Sequence, residues 1–315
     1  DGQVRAEIVR QAININDINI LYKLFCDKNS DVKTEVIKQF INLNRVDILD
    51  KLINDENWIV RKEIIDQAHN LNRKDWIEKL INDEDEYVRE AVARQMIYFN
   101  NIDLIKKLAN DKNYGVRCEI IKSIFKFNYI DLINNLINDN DDDVLAEVVR
   151  QAAKFNRIDI LDKLINSEYS NVRRKIIEQA YNFNREDWLD KLIDDKDVYV
   201  RREIVDQAIK FNRIDNIIEK MINDEAWQIR YEIVKYAIKL RKINFLIKLI
   251  NDENWHVKYA IAEAGYGLDV LAKSSGYGST YIKRACKEWL KSHNMDLREY
   301  KKILKNNGGD YIYIL

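Results

Sequence analysis

The stretch DENWIVRKEIIDQAHNLNRKDWIEKLIN, residues 55–82, is one copy of a unit that the chain repeats. Its Val60-Arg61 pair returns on a 28-residue step as Val4-Arg5, Val32-Lys33, Val88-Arg89, Val116-Arg117, Val144-Leu145, Val172-Arg173 and Val200-Arg201. Ile229-Arg230 follows after 29 residues, Val257-Lys258 after 28 and Ile282-Lys283 after 25. Eight matches on one period are not chance, and such a period is the mark of a repeat architecture. With Val60 as position zero, Val60, Ile64, Ala68 and Leu71 recur as apolar residues at 0, 4, 8 and 11. That spacing is one stripe of an α-helix.

The helix is predicted to stop at Asn72, where Asn16, Asn44, Asn100, Asn128, Asn156, Asn184 and Asn212 stand in the other units. Asn tolerates the left-handed backbone that closes a helix. Three residues later an Asp recurs: Asp47, Asp75, Asp103, Asp131, Asp159, Asp187 and Asp215. Its carboxylate is expected to cap the next helix. That second helix is short and carries Trp76, Ile77, Leu80 and Ile81, matched by Ile48, Leu49, Leu52 and Ile53. One such pair cannot bury its apolar stripe alone, whereas stacked pairs can.

Composition agrees. The chain has 315 residues, no proline and only 8 glycines, six of them after residue 260, so it lacks the punctuation of a turn-rich β protein. Lys plus Arg is 52 against 53 for Asp plus Glu, which excludes a globally basic nucleic-acid binder. No apolar run approaches the roughly 18 residues of a membrane span, and no secretory leader is visible. Cys26, Cys118 and Cys286 are far apart and odd in number, and His69, His256 and His293 do not pair at ligand spacing. A disulfide framework or metal site is not expected, and a reducing, cytoplasmic setting fits. The chain opens at Asp1 without a methionine, which leaves room for native residues in front of it.

An Asp, a short gap, Val-Arg and a helix with Ala in its middle, as in Asp55…Val60-Arg61…Ala68 and Asp195…Val200-Arg201…Ala208, resemble the HEAT-repeat family, especially its bacterial short-repeat branch. The resemblance covers about residues 4–290. It implies an all-α, right-handed α-solenoid of about ten stacked two-helix repeats: a regular array over 1–264, then shortened variant repeats and a C-terminal cap over 265–315. It also implies that the Val-Arg helix lines the concave face. The Asp and Arg columns then look like internal ladders linking neighbouring units, with Asp55, Arg61, Asp83, Arg89, Asp195 and Arg201 among their members. Leu145 and Ser167 break those columns beside the acidic run Asp139–Asp143, which predicts a local change of curvature or a softer joint. Gly265-Tyr266-Gly267 and Gly276-Tyr277-Gly278 look like tighter variant repeats. Trp289 and the tail Tyr311–Leu315 are expected to cap the array.

Positions 2, 6 and 10 of the Val-Arg helix share one face and hold thirteen bases against four acids between Val4 and Ile229. The row is densest at Lys122, Lys126, Arg150 and Lys154, and includes Arg94, Lys235 and Lys239. On a concave face it would cradle an acidic protein segment or nucleic-acid phosphates. Yet position 3 holds seven glutamates one turn away, so ordinary surface ion pairs account for the pattern equally well. A Gln column, including Gln39, Gln95, Gln151 and Gln207, suggests hydrogen bonds to neighbouring backbone. The loops before the helices are acidic and carry aromatics: Trp58, Tyr87, Tyr199, Trp227 and Trp255. These either staple one unit to the next or form a ridge that grips a basic partner.

There is no phosphate-binding Gly-rich loop, no H-E-x-x-H and no G-x-S-x-G, and Asp139–Asp143 lacks the glycine and closing Glu of a calcium loop. No catalytic residue, metal or cofactor is expected, and neither a membrane nor a small-molecule substrate. The expectation is a non-enzymatic scaffold that binds another protein. The alternative is nucleic-acid binding, as in HEAT-like bacterial DNA glycosylases, although no matching catalytic Asp and aromatic pair can be placed. A bilin-lyase role, known among HEAT-like proteins, is the remote third.

Overall fold

The computed structural model describes residues 1–12 and 17–306, and the described residues are helical throughout, without strands. Asn16 and the tail Tyr311–Leu315 lie outside them. The chain divides into two compact units, Asp1–Leu164 and Ile165–Leu315. Leu145 and Ser167, where the Arg and Asp columns break, stand on either side of that division.

In the first unit the leading helices of the repeats are Gly2–Ala12, Ser30–Asn42, Trp58–Asp66, Glu86–Gln95, Tyr114–Lys126 and Asp142–Lys154. Each packs against the next, and each is followed by a shorter second element. In the second unit the leading helices are Ser170–Ile177, Val198–Lys210, Trp227–Lys239, Trp255–Glu263 and Ser279–Ser292. The last described helix, Leu297–Asn306, packs on Leu268–Leu271.

The apolar stripe is the core. Val60, Ile64, Ala68 and Ile65 are fully buried, as are Trp76 and Ile77 of the second helix. Each buried Val or Ile of this set stabilises the stack by about 1.5–3 kcal/mol. Asn44, Asn72, Asn128, Asn156, Asn184 and Asn212 turn the chain at φ between 52° and 57°, the left-handed closure. Asn100 departs: its φ is not positive, and its side chain accepts from the Tyr129 hydroxyl instead.

The helix starts differ from expectation. Asp75 does not occupy the capping position, because the helix Lys74–Leu80 has already begun and Arg73 stands before it. Arg73 grips the Asp75 carboxylate with two bonds of 2.8 and 2.7 Å. Arg157–Asp159 and Arg185–Asp187 repeat this grip. Side-chain caps sit on several leading helices, three residues before the recurring Val, where Asn57 accepts from Ile59 N at 2.9 Å and Asp85 from Tyr87 N at 2.9 Å; two second helices, Ile18–Leu24 and Ile102–Ala109, are capped by Asp17 and Asn101.

Neighbouring repeats are locked by guanidinium–carboxylate pairs. Arg61 reaches Asp83 of the next repeat through Nε and Nη2, both at 2.7 Å, and its Nη1 donates to the Asp55 carbonyl at 2.7 Å. Arg5–Asp27, Arg89–Asp111 and Arg117–Asp139 do the same in the first unit; Arg173–Asp195, Arg201–Asp224 and Arg230–Asp252 do so in the second. Lys33 supplies a single bond to Asp55 at 2.6 Å.

Burial pushes the Asp111 carboxyl up, but hydrogen bonds from Arg89 and Asn113 N to its charged form outweigh it and hold it below its ordinary 3.8. Asp27 is lowered chiefly by its hydrogen bond from Arg5. A lowered carboxyl stabilises the fold fully above its unfolded value, and that stabilisation is lost as pH falls through the folded one. Glu63 and Glu203, raised by burial, act in the opposite sense: their contribution is lost as pH rises through their folded values. Urea midpoints are therefore expected to drop on acidification below 3.8. Asp111→Asn should flatten that drop, and an unchanged pH slope would show that the pair contributes nothing.

Candidate functional site

The basic row is spread over both units. In the first, Lys122 and Lys126 stand on Tyr114–Lys126 and Arg150 and Lys154 on its neighbour Asp142–Lys154. These charges have partners within the chain. Lys122 pairs with Glu119 at 3.0 Å and Arg150 with Glu147, while Lys126 donates to the Ile97 carbonyl at 2.6 Å. The Lys154 ammonium lies 5.7 Å from the Phe155 ring centroid. Arg94 lies 3.4 Å from Asp66 and 3.7 Å from Glu119. In the second unit Lys235 pairs with Glu232 at 2.8 Å, and Lys239 is exposed. Adding charges along the row hides this, because the compensating glutamates are one turn away on the same helices.

The Gln column bonds mainly to its own helix. Gln39, Gln151 and Gln207 donate to Glu35, Glu147 and Glu203, and Gln95 and Gln207 also reach the Asp66 and Glu178 carbonyls of the preceding repeat. The carboxylates of Asp141, Asp142 and Asp143 approach one another within 4.8 Å, and Asp141 caps its helix by accepting from Asp143 N and Val144 N.

The loop aromatics fall into three places. Trp58 and Tyr87 meet at 5.0 Å between ring centroids in the first unit. Tyr199 is 62% exposed and stands apart in the second. Trp227 and Trp255 belong to something larger. His256 is stacked between them, 4.4 Å from Trp227 and 3.7 Å from Trp255, and Tyr281 stacks on Trp255 at 5.2 Å. Tyr231 and Tyr259, one turn further along the two helices, stand edge-on to Trp227 and Trp255 at 6.3 and 6.4 Å.

These six rings, with Arg202, Gln228 and Glu232, line a recess of about 500 Å³ on the face of the leading helices. One of its rings, Trp255, is backed by a glycine. Gly278, at φ +78°, lies so close to Trp255 that a Cβ there would sit 2.2 Å from the indole Cγ. Gly278 thus packs its backbone directly against the Trp255 side chain. Arg202 pairs with Glu232 at 2.7 Å across two repeats.

His256, Tyr259 and Tyr281 are the residues that repeat arithmetic passes over, while Tyr231 shows there only as one member of the varying position 2. The signal was present. Position 2 holds Ala6, Thr34, Lys62, Glu90, Cys118, Ala146, Arg174 and Arg202, and then tyrosine twice in succession, each four residues after a tryptophan. A pair of aromatics that breaks a repeat marks a site better than a column that obeys it.

Residues 74–152 match the family model described as HEAT repeats. Among solved structures, the chain is similar to an engineered protein at 17% identity, covering 92% of this chain and 94% of that one, with a TM-score of 0.36. It is also similar to YibA of E. coli at 21% identity, covering 71% of this chain and 95% of that one, with a TM-score of 0.41. No match is found among curated proteins. No helix among the described residues is long and apolar enough to cross a membrane. The match to HEAT repeats spans residues 74–152, and helix pairs of the same kind occur in both units of the chain.

Proposed function

We propose that the chain is a non-enzymatic scaffold that binds another protein, and that the contact centres on the aromatic recess of its second unit. HEAT repeats are generally interaction scaffolds, which supports the class of function. One observation carries the choice of surface: two successive repeats carry tyrosine at the variable position 2, Tyr231 and Tyr259, and these converge with two tryptophans on a largely apolar recess. Half-buried aromatics around such a recess are the usual anchors of protein interfaces. The basic row is the weaker candidate, since its charges are shared with neighbouring carboxylates and carbonyls. That sharing also counts against a phosphate-binding role.

The test is affinity capture from native lysate, comparing the wild-type chain with two variants of unchanged helicity. A partner held by the recess should be lost, by about tenfold or more, from the Tyr231→Ala/Tyr259→Ala double variant. It should be retained when Lys122, Lys126, Arg150 and Lys154 are reversed to Glu. The opposite pattern, or a salt-dependent shift of duplex or single-stranded DNA, overturns the proposal.

A further inference from the structure

The chemistry of the recess specifies the sign of what enters it. We infer that it takes an aromatic side chain of an acidic peptide segment, with carboxylates beside that side chain meeting Arg202 and the ring edges. This rests on the protein-binding role above and gives it a ligand class.

The argument begins with the ring faces. Aromatic faces are electron-rich and attract cations, whereas ring edges are positive. Both faces of His256 are covered by Trp227 and Trp255, and Trp255 is stacked between His256 and Tyr281. Two of the outer rings, Tyr231 and Tyr281, have cations already. The Lys235 ammonium lies 5.9 Å from the Tyr231 centroid, and the Arg284 guanidinium 5.6 Å from that of Tyr281. An incoming lysine or arginine would meet like charge at both of those rings. An incoming ring would find edges and a stack of π-systems to pack against.

The polar groups agree. Glu232 is the one carboxylate in the lining; it is buried, and both of its oxygens are claimed, Oε1 by Arg202 at 2.7 Å and Oε2 by Lys235 at 2.8 Å. It has nothing left for a cation. Arg202 uses one amino group on Glu232 and keeps the rest of its fork, on a side chain 49% exposed. The indole N–H groups of Trp227 and Trp255 have no acceptor among the described residues. What remains unsatisfied is mainly donors, and donors call for acceptors.

The acidic loops do not reverse this. Asp224 and Asp252 are held by Arg201 and Arg230, and Glu225 and Glu253 lie 3.6 and 3.3 Å from the same two guanidinium groups. The aspartate charge is engaged by the ladder, while the two glutamates, 87% and 86% exposed, stand out in solvent beside it. The partner's sign is therefore opposite to the one that the loop acids suggest when read as sequence.

Calorimetric titration of the full chain with four probes tests this. The probes are blocked peptides Asp-Glu-Phe-Asp-Glu, Asp-Glu-Ala-Asp-Glu and Lys-Arg-Phe-Lys-Arg, and a ten-residue oligodeoxythymidylate. The acidic Phe peptide should bind saturably, and at least about tenfold more tightly than the other three. Arg202→Gln, which leaves Glu232 its bond from Lys235, should weaken that binding by about tenfold with helicity unchanged. The inference is overturned by no saturable binding of the acidic Phe peptide, by equal or tighter binding of the basic peptide or the oligonucleotide, or by an Arg202→Gln variant of unchanged affinity. Tight binding of the basic peptide that is lost in Tyr231→Ala would sink the ligand class alone. Lysate capture indifferent to Tyr231→Ala/Tyr259→Ala would sink the underlying role.

Discussion

Arg173→Ala is expected to destabilise the second unit by about 3–5 kcal/mol, the range for removing one partner of a buried ion pair. Arg173 and Asp195 are the most enclosed rung of the ladder, their side chains only 5% and 4% exposed. The guanidinium donates to Asp195 through Nε at 2.6 Å and Nη2 at 2.7 Å, and through Nη1 to the carbonyls of Ser167 and Glu168 at 2.7 and 2.9 Å. Truncation therefore leaves a buried carboxylate with only the Asp197 N–H as a partner, and two carbonyls lose a donor. The cost comes from stranding these groups rather than from the net worth of the pair. Replacing both partners by apolar residues, Arg173→Met with Asp195→Leu, should recover part of the loss. Arg174, one residue on, is the control. Its pair with Glu178 is 3.7 Å long and about 40% exposed, so Arg174→Ala should change stability by no more than about 0.5 kcal/mol. Urea unfolding followed by circular dichroism reads both, and equal effects at the two positions would show that the ladder is ornamental.

Gly265→Ala should cost about 2–5 kcal/mol, from two sources that add. Its φ of +83° is left-handed, which costs a side-chain-bearing residue roughly 1–2 kcal/mol. The new Cβ would also sit 2.2 Å from Cε2 of Trp289, and forcing such an overlap costs about 1–3 kcal/mol more. The indole has no easy retreat: it is stacked on His293 at 3.9 Å and meets the buried Tyr300 edge-on at 6.0 Å. The backbone is tied too, because the Tyr300 hydroxyl donates to the Gly265 carbonyl at 3.0 Å. Gly276 separates the two sources. It has nearly the same φ, +82°, but no described atom comes within 4 Å of the place a methyl would take, so Gly276→Ala should carry only the backbone cost. Matching losses at Gly265 and Gly276 would refute the packing contribution.

The fold was legible because the period is strict. Val60, Ile64 and Ala68 fall on one helical stripe, and the same stripe recurs at each step, so neighbouring copies must meet through it. The left-handed Asn column was legible for a similar reason: closing a helix within two residues needs a residue that tolerates positive φ. The capping assignment failed one level down. Asp75 and Asn57 are both plausible caps by composition, and only the backbone decides that Asn57 precedes its helix while Asp75 lies inside the first turn. The site was half legible. Trp227 and Trp255 stand out in their loops, but Tyr231 and Tyr259 sit among the ordinary variation of position 2. His256 becomes a stacking partner only when two repeats are brought together in space. The role of Gly278 needs the same step, since no spacing rule places a glycine of one repeat beneath the tryptophan of another.

Circular dichroism of a peptide spanning a single repeat, residues 58–81, tests most directly the dependence of each helix pair on its neighbours. Its two helices have 9 and 7 residues, below the roughly 12–15 at which an isolated helix becomes even marginal in water. Alone, the peptide has no adjoining stripe to cover Val60, Ile64 and Trp76, and it should give the spectrum of an unfolded chain at every temperature. A monomeric peptide with a cooperatively melting helical spectrum would contradict the account.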